Sequence, residues 1–245
     1  MRLASYEGDI ISSSFPFEVT PLSGRFDLKI IPSLSILAGR LVVTREGSYH
    51  ILKKNNQEIS IAELIDRMEK SYDCVHMVDL DSITRGKTQL GCARDVSEKM
   101  EVWYDGGFFS SEEIYDPIMM GVRNIVLGTK SITDMNTLLD CFELTPNVVF
   151  ELDYHDGIMS PSKEISTVGV SELVNKVRAI GIKEMIVADF GRMEDEGEIN
   201  IPLIKRIIAE GFKTYAAGNV TPEDLPALQK IGAAGAILKL ESILS

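Results

Sequence analysis

Short apolar runs rich in Val, Ile and Leu alternate along the chain with longer amphipathic stretches. Runs that are apolar throughout are typical of strands buried on both faces of a parallel sheet. Eight such runs predict strands at residues 28–35, 74–81, 101–105, 124–128, 147–153, 184–189, 212–216 and 235–239. Helical periodicity follows them near residues 60–71, 89–99, 111–120, 131–142, 170–180, 200–210 and 222–231. The sequence therefore predicts an α/β protein with the (βα)8 TIM-barrel fold.

An internal repeat supports this fold. Gly121 and Gly232 lie 111 residues apart, and at that offset residues 104–132 align without a gap on residues 215–243. Tyr104 falls on Tyr215, and other identical pairs follow in the same order. Repeats of this kind indicate duplicated structural units. We therefore predict two similar half-barrels.

The two ends of the chain depart from a regular barrel. Some 27 residues precede the first strand, and only the short segment LESILS follows the eighth. We predict an N-terminal extension over residues 1–27, a barrel over 28–245 and a truncated last helix. The missing helix would leave an apolar wall bare, which is a liability in water. We expect the extension, with Phe15, Phe17 and Leu22, to cover that wall; the alternative is a second subunit in a homodimer.

Charge and cysteine content narrow the possible partners. The chain carries 25 Lys+Arg against 37 Asp+Glu, a formal net charge of -12. This excess of acid argues against nucleic acid and against an anionic membrane surface. No apolar run reaches the length of a membrane span, no signal peptide is visible, and the three cysteines form no CxxC motif. We predict a cytoplasmic protein whose partner is a small anionic or phosphorylated metabolite.

Polar residues follow several of the predicted strands, at the end of the barrel where TIM-barrel enzymes carry their active sites. Carboxylates facing lysines could carry out acid–base chemistry on a small polar molecule. The alternative is that the aspartates only cap the helices that follow them. The candidate catalytic residues are Asp153, Asp79, Asp189, Lys130 and Lys239.

Glycines at the strand ends suggest anion binding, because they let backbone N–H groups approach a phosphate. Ordinary tight turns would also explain them. The candidate substrate- or phosphate-binding residues are Gly106, Gly107, Gly128, Thr129, Gly218, Asn219 and Ser35. The three histidines, His50, His76 and His155, are isolated in sequence, so we expect no metal site. We interpret His76, inside an apolar strand, as a satisfied core residue.

Several of these segments resemble, in order, the ProFAR isomerase (phosphoribosylformimino-aminoimidazole carboxamide ribotide isomerase) and imidazole glycerol phosphate synthase cyclase family of histidine biosynthesis. The segments are IIPSLSILAGRLV (30–42), VHMVDLDSI (75–83), DGGFFSSEEI (105–114), GVRNIVLGT (121–129), VVFELDYHDG (148–157) and AAGNVTPEDL (216–225). The resemblance implies a twofold-repeated (βα)8 barrel with one phosphate site in each half. It also implies an Amadori rearrangement of a phosphoribosyl aminoimidazole substrate, without metal or organic cofactor.

The residues that would carry this chemistry match the family only in part. The family's first-strand aspartate is Ser35 here, whereas its fifth-strand aspartate is Asp153. Serine has no accessible pKa for acid–base work near neutrality, so the pair of carboxylates is broken. The family's sixth-strand threonine is Ala188.

The phosphate loops also differ from the family pattern. Asp105 replaces the first glycine of the third-strand loop, and Lys239 replaces the glycine that ends the eighth strand. Residues 192–195 replace the RDGT loop with RMED. An anion at the third-strand loop would be repelled unless Asp105 points away. Lys239 could instead hold an anion as a point charge.

Three hypotheses follow from this partial match. The first is a divergent barrel enzyme acting on another small phosphorylated or anionic metabolite, with Asp153 as acid or base and Lys130 or Lys239 as its electrostatic partner. The second is a ProFAR isomerase in which Asp79 or Asp189 supplies the missing carboxylate. The third is a non-catalytic binding protein on the same scaffold. Fold alone does not decide between them.

Overall fold

The structure is a computed structural model that describes residues 11–14, 18–22, 26–45, 47–191 and 198–244. Within them, one sheet contains twelve strands: β1 Ile11–Ser14, β2 Lys29–Leu37, β3 Arg40–Arg45, β4 Ser48–Lys54, β5 Gln57–Glu58, β6 Cys74–Asp79, β7 Glu101–Asp105, β8 Asn124–Gly128, β9 Val148–Tyr154, β10 Glu184–Asp189, β11 Lys213–Ala217 and β12 Gly235–Lys239. Strands β2 and β6 to β12 pair in parallel, and β2 pairs with both β12 and β6. The eight strands therefore close into a barrel, and the predicted fold is confirmed.

Helices follow the barrel strands. Their bounds are α1 Ile61–Met68, α2 Leu80–Arg85, α3 Leu90–Ser97, α4 Tyr115–Met119, α5 Met135–Leu144, α6 Lys163–Ser166, α7 Val170–Ile180, α8 Ile201–Ala209 and α9 Leu225–Lys230. Short 3-10 turns at Glu112–Ile114 and Pro222–Asp224 precede α4 and α9. In the part of the chain that the structure describes, no helix has the length and apolar character needed to cross a membrane.

The barrel interior is filled by a layer to which every barrel strand contributes one buried side chain. The layer consists of Ile31, Cys74, Trp103, Val126, Val149, Ile186, Tyr215 and Ile237. Because strand side chains alternate between the two faces, the residues two positions further along each strand also point inward, closer to the carboxyl ends. The register of the strands therefore decides which polar side chains meet above the apolar layer.

The two halves of the barrel share their local structure as well as their sequence. At the 111-residue offset, β8 falls on β12 residue for residue. The 3-10 turns before α4 and α9 differ from that offset by one residue. Gly107 and its counterpart Gly218 both have positive φ, at 64° and 88°. The repeat read from the sequence is thus visible in the geometry of the loops that follow β7 and β11.

A small side sheet, which lies outside the predicted strands, extends from β2. The chain turns back through Ala38 and Gly39, both at positive φ, into the antiparallel strand β3. Strand β4 follows, and β1 and β5 pair with it. Two consecutive residues at positive φ are characteristic of the type I′ turns that join hairpin strands. The first barrel strand consequently continues two residues beyond its predicted end.

Part of the N-terminal extension lies against the C-terminal segment. Val19 forms an antiparallel bridge with Leu244, and the Thr20 N–H donates to the Ile243 carbonyl oxygen at 2.8 Å. Leu22 is buried. Residues 15–17, with Phe15 and Phe17, lie outside the described residues. Coverage of the barrel wall by the extension, and the alternative of a homodimer, remain predictions.

Candidate active site

Asp153 lies at the carboxyl end of β9 and is fully buried. Its Oδ2 accepts hydrogen bonds from the Thr129 hydroxyl and the Lys130 N–H, each at 3.1 Å. The Lys130 ammonium lies 2.9 Å from its Oδ1 and also 3.6 Å from the centre of the Phe190 ring. The candidates Asp153, Thr129 and Lys130 are therefore in direct contact. Two hydrogen-bond donors and one ammonium group from the loop after β8 hold this carboxylate, with both hydrogen bonds on Oδ2 and the ion pair on Oδ1.

Asp79 ends β6, and its carboxylate is occupied by protein donors. Oδ1 accepts from the Ser82 N–H at 3.0 Å, which caps α2. Oδ2 accepts from the Gln89 N–H and from the Tyr104 hydroxyl, each at 2.5 Å. Burial, reinforced by the charge of Asp79, raises the pKa of Tyr104. This arrangement favours the helix-cap interpretation of Asp79 over an acid–base role.

The loop after β7 differs from an open phosphate site. The Gly107 N–H donates to Oδ1 of Asp105 at 3.0 Å, and the Gly106 carbonyl accepts from the Ser82 hydroxyl at 2.7 Å. The ring of Phe108, itself buried, covers Gly106 so closely that a Cβ there would lie 2.4 Å from it. An N–H that could bind an anion thus already binds a carboxylate. The geometry argues against phosphate binding at Gly106 and Gly107.

The loop after β11 is held close to the end of β10. A Cβ on Gly218 would lie 2.2 Å from the Asp189 carbonyl oxygen and 2.7 Å from its nitrogen. Oδ1 of Asp189 accepts from the Gly191 N–H at 3.0 Å. Asn219 follows at φ 57°. The candidates Asp189, Gly218 and Asn219 are therefore neighbours on one side of the barrel mouth.

Ser35 and Lys239 lie on adjacent strands. In the β12–β2 pairing, Lys239 is opposite Ser33, two residues before Ser35. Across β2, Ser35 is opposite Val78 of β6. The Ser35 and Lys239 side chains are both partly exposed at the same end of the barrel.

The candidate Gly128 ends β8 and lies beside Asp153. A Cβ at Gly128 would lie 3.0 Å from Oδ2 of Asp153.

Three further polar groups, which are far apart in the sequence, meet inside the barrel. A ring nitrogen of His76 and one carboxylate oxygen from each of Asp105 and Glu151 lie within 4.8 Å of one another. His76 and Glu151 are buried, and Asp105 is half-buried. The available signal was the two-residue period of β9, which places Glu151 on the same face as Asp153. Their meeting with β6 and β7 depends on the barrel register.

Burial governs the protonation of these groups. The pKa of Asp105 is raised to about 6, because burial and the charge of Asp153 outweigh the lowering effect of the Gly107 N–H. Burial and the charges of Asp153 and Asp105 raise the pKa of Glu151 well above its usual range. Burial lowers the pKa of His76 to about 4. The barrel interior therefore holds more acidic groups than its surroundings can stabilise as anions.

A separate polar network around Glu101 lies at the other end of the barrel, where the strands begin. Glu101 accepts from Trp103 Nε1 at 2.7 Å and from the Asn124 amide at 2.8 Å, and pairs with Lys29 at 3.2 Å. The candidate residues lie at the carboxyl ends of the strands. Active sites of this barrel type occupy that end.

These features define the protein as a TIM barrel with a polar cluster at the carboxyl ends of its strands. The family model described as "Histidine biosynthesis protein" matches residues 29–239, and the chain belongs to this family.

Three full-length relatives carry the name 1-(5-phosphoribosyl)-5-((5-phosphoribosylamino)methylideneamino) imidazole-4-carboxamide isomerase. The relative from Caldicellulosiruptor bescii is 25% identical over 237 residues, covering 88% of this chain and 98% of its own. That from Oceanobacillus iheyensis is 27% identical, covering 85% and 90%, and that from Pyrococcus furiosus is 26% identical, covering 86% and 87%. The similarity thus spans the whole barrel at low identity.

Proposed function

We propose that this protein is an enzyme that uses acid–base chemistry of the isomerase type on a small metabolite carrying a single phosphate group. The observation that carries the proposal is the fixed carboxylate of Asp153, held by Thr129 and Lys130 at the carboxyl ends of the strands. A positioned carboxylate can take a proton from a substrate carbon and return it to a neighbouring atom. The Lys130 ammonium, 2.9 Å from Oδ1, balances the charge of the carboxylate.

We propose a substrate with one phosphate because the loops after β7 and β11, which are equivalent in the two half-barrels, differ in charge. After β7, Asp105 fills the position next to the Gly107 N–H, so a dianion there would meet a carboxylate. After β11, Gly218 and Asn219 lie beside Asp189, whose Oδ1 accepts from the Gly191 N–H rather than from the β11 loop, and Lys239 ends the adjacent strand. A phosphate on this side would be held by an ammonium and by backbone N–H groups. We therefore place the phosphate of the substrate beside β11 and β12.

The names of the relatives favour a second candidate function. If those proteins and this chain share an activity, the substrate is the bis-phosphorylated ProFAR, and the chain performs an Amadori rearrangement without a carboxylate at position 35. Full-length similarity supports this alternative. The serine at that position and the carboxylate in the β7 loop speak against it.

A steady-state assay on ProFAR distinguishes these functions. We expect no turnover by the wild type. If the bis-phosphate site persisted and only the acid–base pair were lost, Ser35→Asp would restore measurable turnover, whereas the isosteric neutral control Ser35→Asn would not. We expect both variants to be inactive, because the carboxylate of Asp105 beside the Gly107 N–H would repel the second phosphate. Turnover by the wild type would establish the second function and refute the first.

The positive arm of the test uses monophosphorylated aldoses and amino-aldoses as candidate substrates, followed by NMR detection of ketose products. Asp153→Asn should abolish product formation while leaving phosphate-dependent binding within a factor of a few. Lys239→Met should weaken binding of the same compounds by roughly tenfold, since one charged contact to a phosphate contributes on the order of 1.5 kcal/mol or more. Binding without turnover in the wild type would favour a non-catalytic binding protein.

A further inference from the structure

Inside the barrel, the side chains of His76, Asp105 and Glu151 converge from three different strands, β6, β7 and β9. A ring nitrogen of His76 and one carboxylate oxygen from each acid lie within 4.8 Å of one another. Imidazole and carboxylate groups are the usual ligands of divalent transition metals in proteins. Ligand atoms around one such ion lie roughly 3.5 Å apart. Small side-chain rotations would bring these three atoms to that spacing.

The imidazole of His76 provides an independent sign that something is bound there. His76 is 6% exposed, and its Nε2 is buried without a hydrogen-bond partner in the described structure. Its Nδ1 lies 3.2 Å from the hydroxyl of Ser33 on the neighbouring strand β2. With Nδ1 turned to Ser33, Nε2 is the nitrogen left free for the cluster. A buried polar nitrogen without a partner costs free energy, and an ion bound at Nε2 would remove that cost.

The space and charge around the cluster also suit a cation. Gly128 ends β8, the strand between β7 and β9, and a Cβ there would lie 3.6 Å from the Cβ of Glu151. A side chain at position 128 would crowd Glu151 and also Oδ2 of Asp153, 3.0 Å from the Cβ, and glycine avoids this contact. The nearby ammonium of Lys130 is paired with Asp153; its charge lowers the pKa of both acids, but burial and the neighbouring carboxylates outweigh it. Two acids and a free imidazole nitrogen therefore face one another with a deficit of positive charge.

We propose that His76, Asp105 and Glu151 bind one divalent transition-metal ion, of the Zn²⁺ or Mn²⁺ class, in the interior of the barrel. Ser33 accepts the Nδ1 hydrogen of His76 and so leaves the Nε2 lone pair for the ion. The second interaction of a metal-bound histidine commonly has this orienting role. Mg²⁺ should bind much more weakly, because it prefers an all-oxygen set of ligands. The proposal does not rest on the proposed function, although Glu151 is hydrogen-bonded to Asp153, the residue that carries that function.

The test is a calorimetric titration of Zn²⁺ and Mn²⁺ into the full-length protein after chelator treatment. We expect one ion per chain. His76→Gln, Asp105→Asn and Glu151→Gln should each weaken Zn²⁺ binding by about 100-fold or more, since even outer-shell changes cost 10- to 100-fold. Ser33→Ala should weaken it by about tenfold.

Two control variants match the ligand changes in chemistry. His50→Gln alters another histidine with an unpartnered buried nitrogen, on β4 outside the barrel. Glu184→Gln alters a barrel glutamate that binds the Tyr215 hydroxyl in the network at the opposite end. Both should bind Zn²⁺ like the wild type. Near-ultraviolet circular dichroism of each variant reports whether its barrel has formed.

A second measurement keeps the test decisive if a ligand variant fails to fold. Anomalous diffraction at the zinc edge, from wild-type crystals grown with Zn²⁺, should show one peak between the three side chains. Absence of stoichiometric binding by the wild type would overturn the proposal. So would an anomalous peak elsewhere, or retention of wild-type affinity by well-folded His76→Gln.

Discussion

Replacing Gly218 by alanine should lower the free energy of unfolding by about 3 kcal/mol or more, which is a large part of the stability of an ordinary domain. Two costs combine at this position. The residue has φ 88°, where an L side chain is strained, and its Cβ would lie 2.2 Å from the Asp189 carbonyl oxygen. Backbone atoms of β10 cannot rotate away. Urea titration followed through the buried Trp103, the single tryptophan, measures the loss.

Two other glycines separate these costs. Gly211 has φ 93° but nothing within 4 Å of a built Cβ, so Gly211→Ala should cost only about 1 kcal/mol from strain. Gly91 lies in α3 with open space and no positive φ, so Gly91→Ala should gain roughly 0.5–1 kcal/mol from helix propensity. Equal effects at Gly218 and Gly211 would show that the loop after β11 can move away from β10. That result would remove the fixed geometry assumed for the phosphate site.

The barrel could be predicted from the sequence because each of its strands is a separate apolar run. The predicted bounds 101–105, 124–128, 184–189 and 235–239 coincide with β7, β8, β10 and β12. The side sheet was missed because β3 and β4 mix charged with apolar residues and have no periodicity as simple as a buried strand. A local signal was nevertheless present. Asn55 and Asn56, both at positive φ, join β4 to β5 in the manner of a type I′ turn.

The candidate site was predictable only in part, because sequence identifies the ends of strands but not what faces them. Asp153 was expected at the mouth, and Thr129 and Lys130 lie beside it. Asp79 could equally have been a cap or an acid, and only the three donors around it favour the cap. The interpretation of His76 as a satisfied core residue was half right, since Nδ1 has a partner and Nε2 has none.

The carboxylate of Asp105 takes part in two features of the barrel mouth. It accepts from the Gly107 N–H and faces His76 and Glu151. The family resemblance of the sequence implies a glycine at position 105 and an aspartate at position 35. If both residues were replaced together, a changed ligand set would explain the two replacements more simply than decay of an old site, because decay would not favour a new buried charge.

Asp105→Asn should raise the free energy of unfolding of the chelator-treated protein at pH 7.5 by on the order of 2 kcal/mol. This magnitude is reduced because the Asp105 side chain is partly exposed to solvent. The pKa of Asp105 is raised in the folded protein, to about 6 from 3.8. Between about pH 4 and pH 6 the folded state therefore holds a proton that the unfolded chain has lost. The wild type should lose stability relative to the variant across this window. Because the charge of Asp105 also raises the pKa of Glu151, a smaller part of the difference should continue to change at higher pH. Urea titrations at several pH values measure this, and His76 and Glu151 are present in both proteins.

The matched control is Asp189→Asn, because Asp189 accepts from the N–H two residues ahead at the same 3.0 Å as Asp105 does, but lies outside the cluster. It should show no comparable gain. Saturating Zn²⁺ should reverse the order of wild type and Asp105→Asn, since an ion that binds only the folded wild type stabilises it by about 2.7 kcal/mol at 100 times its Kd. A wild type more stable than the variant without metal would mean that a cation of the chain itself already compensates Asp105. The two urea series thus report on the same carboxylate, first as an uncompensated charge and then as a ligand.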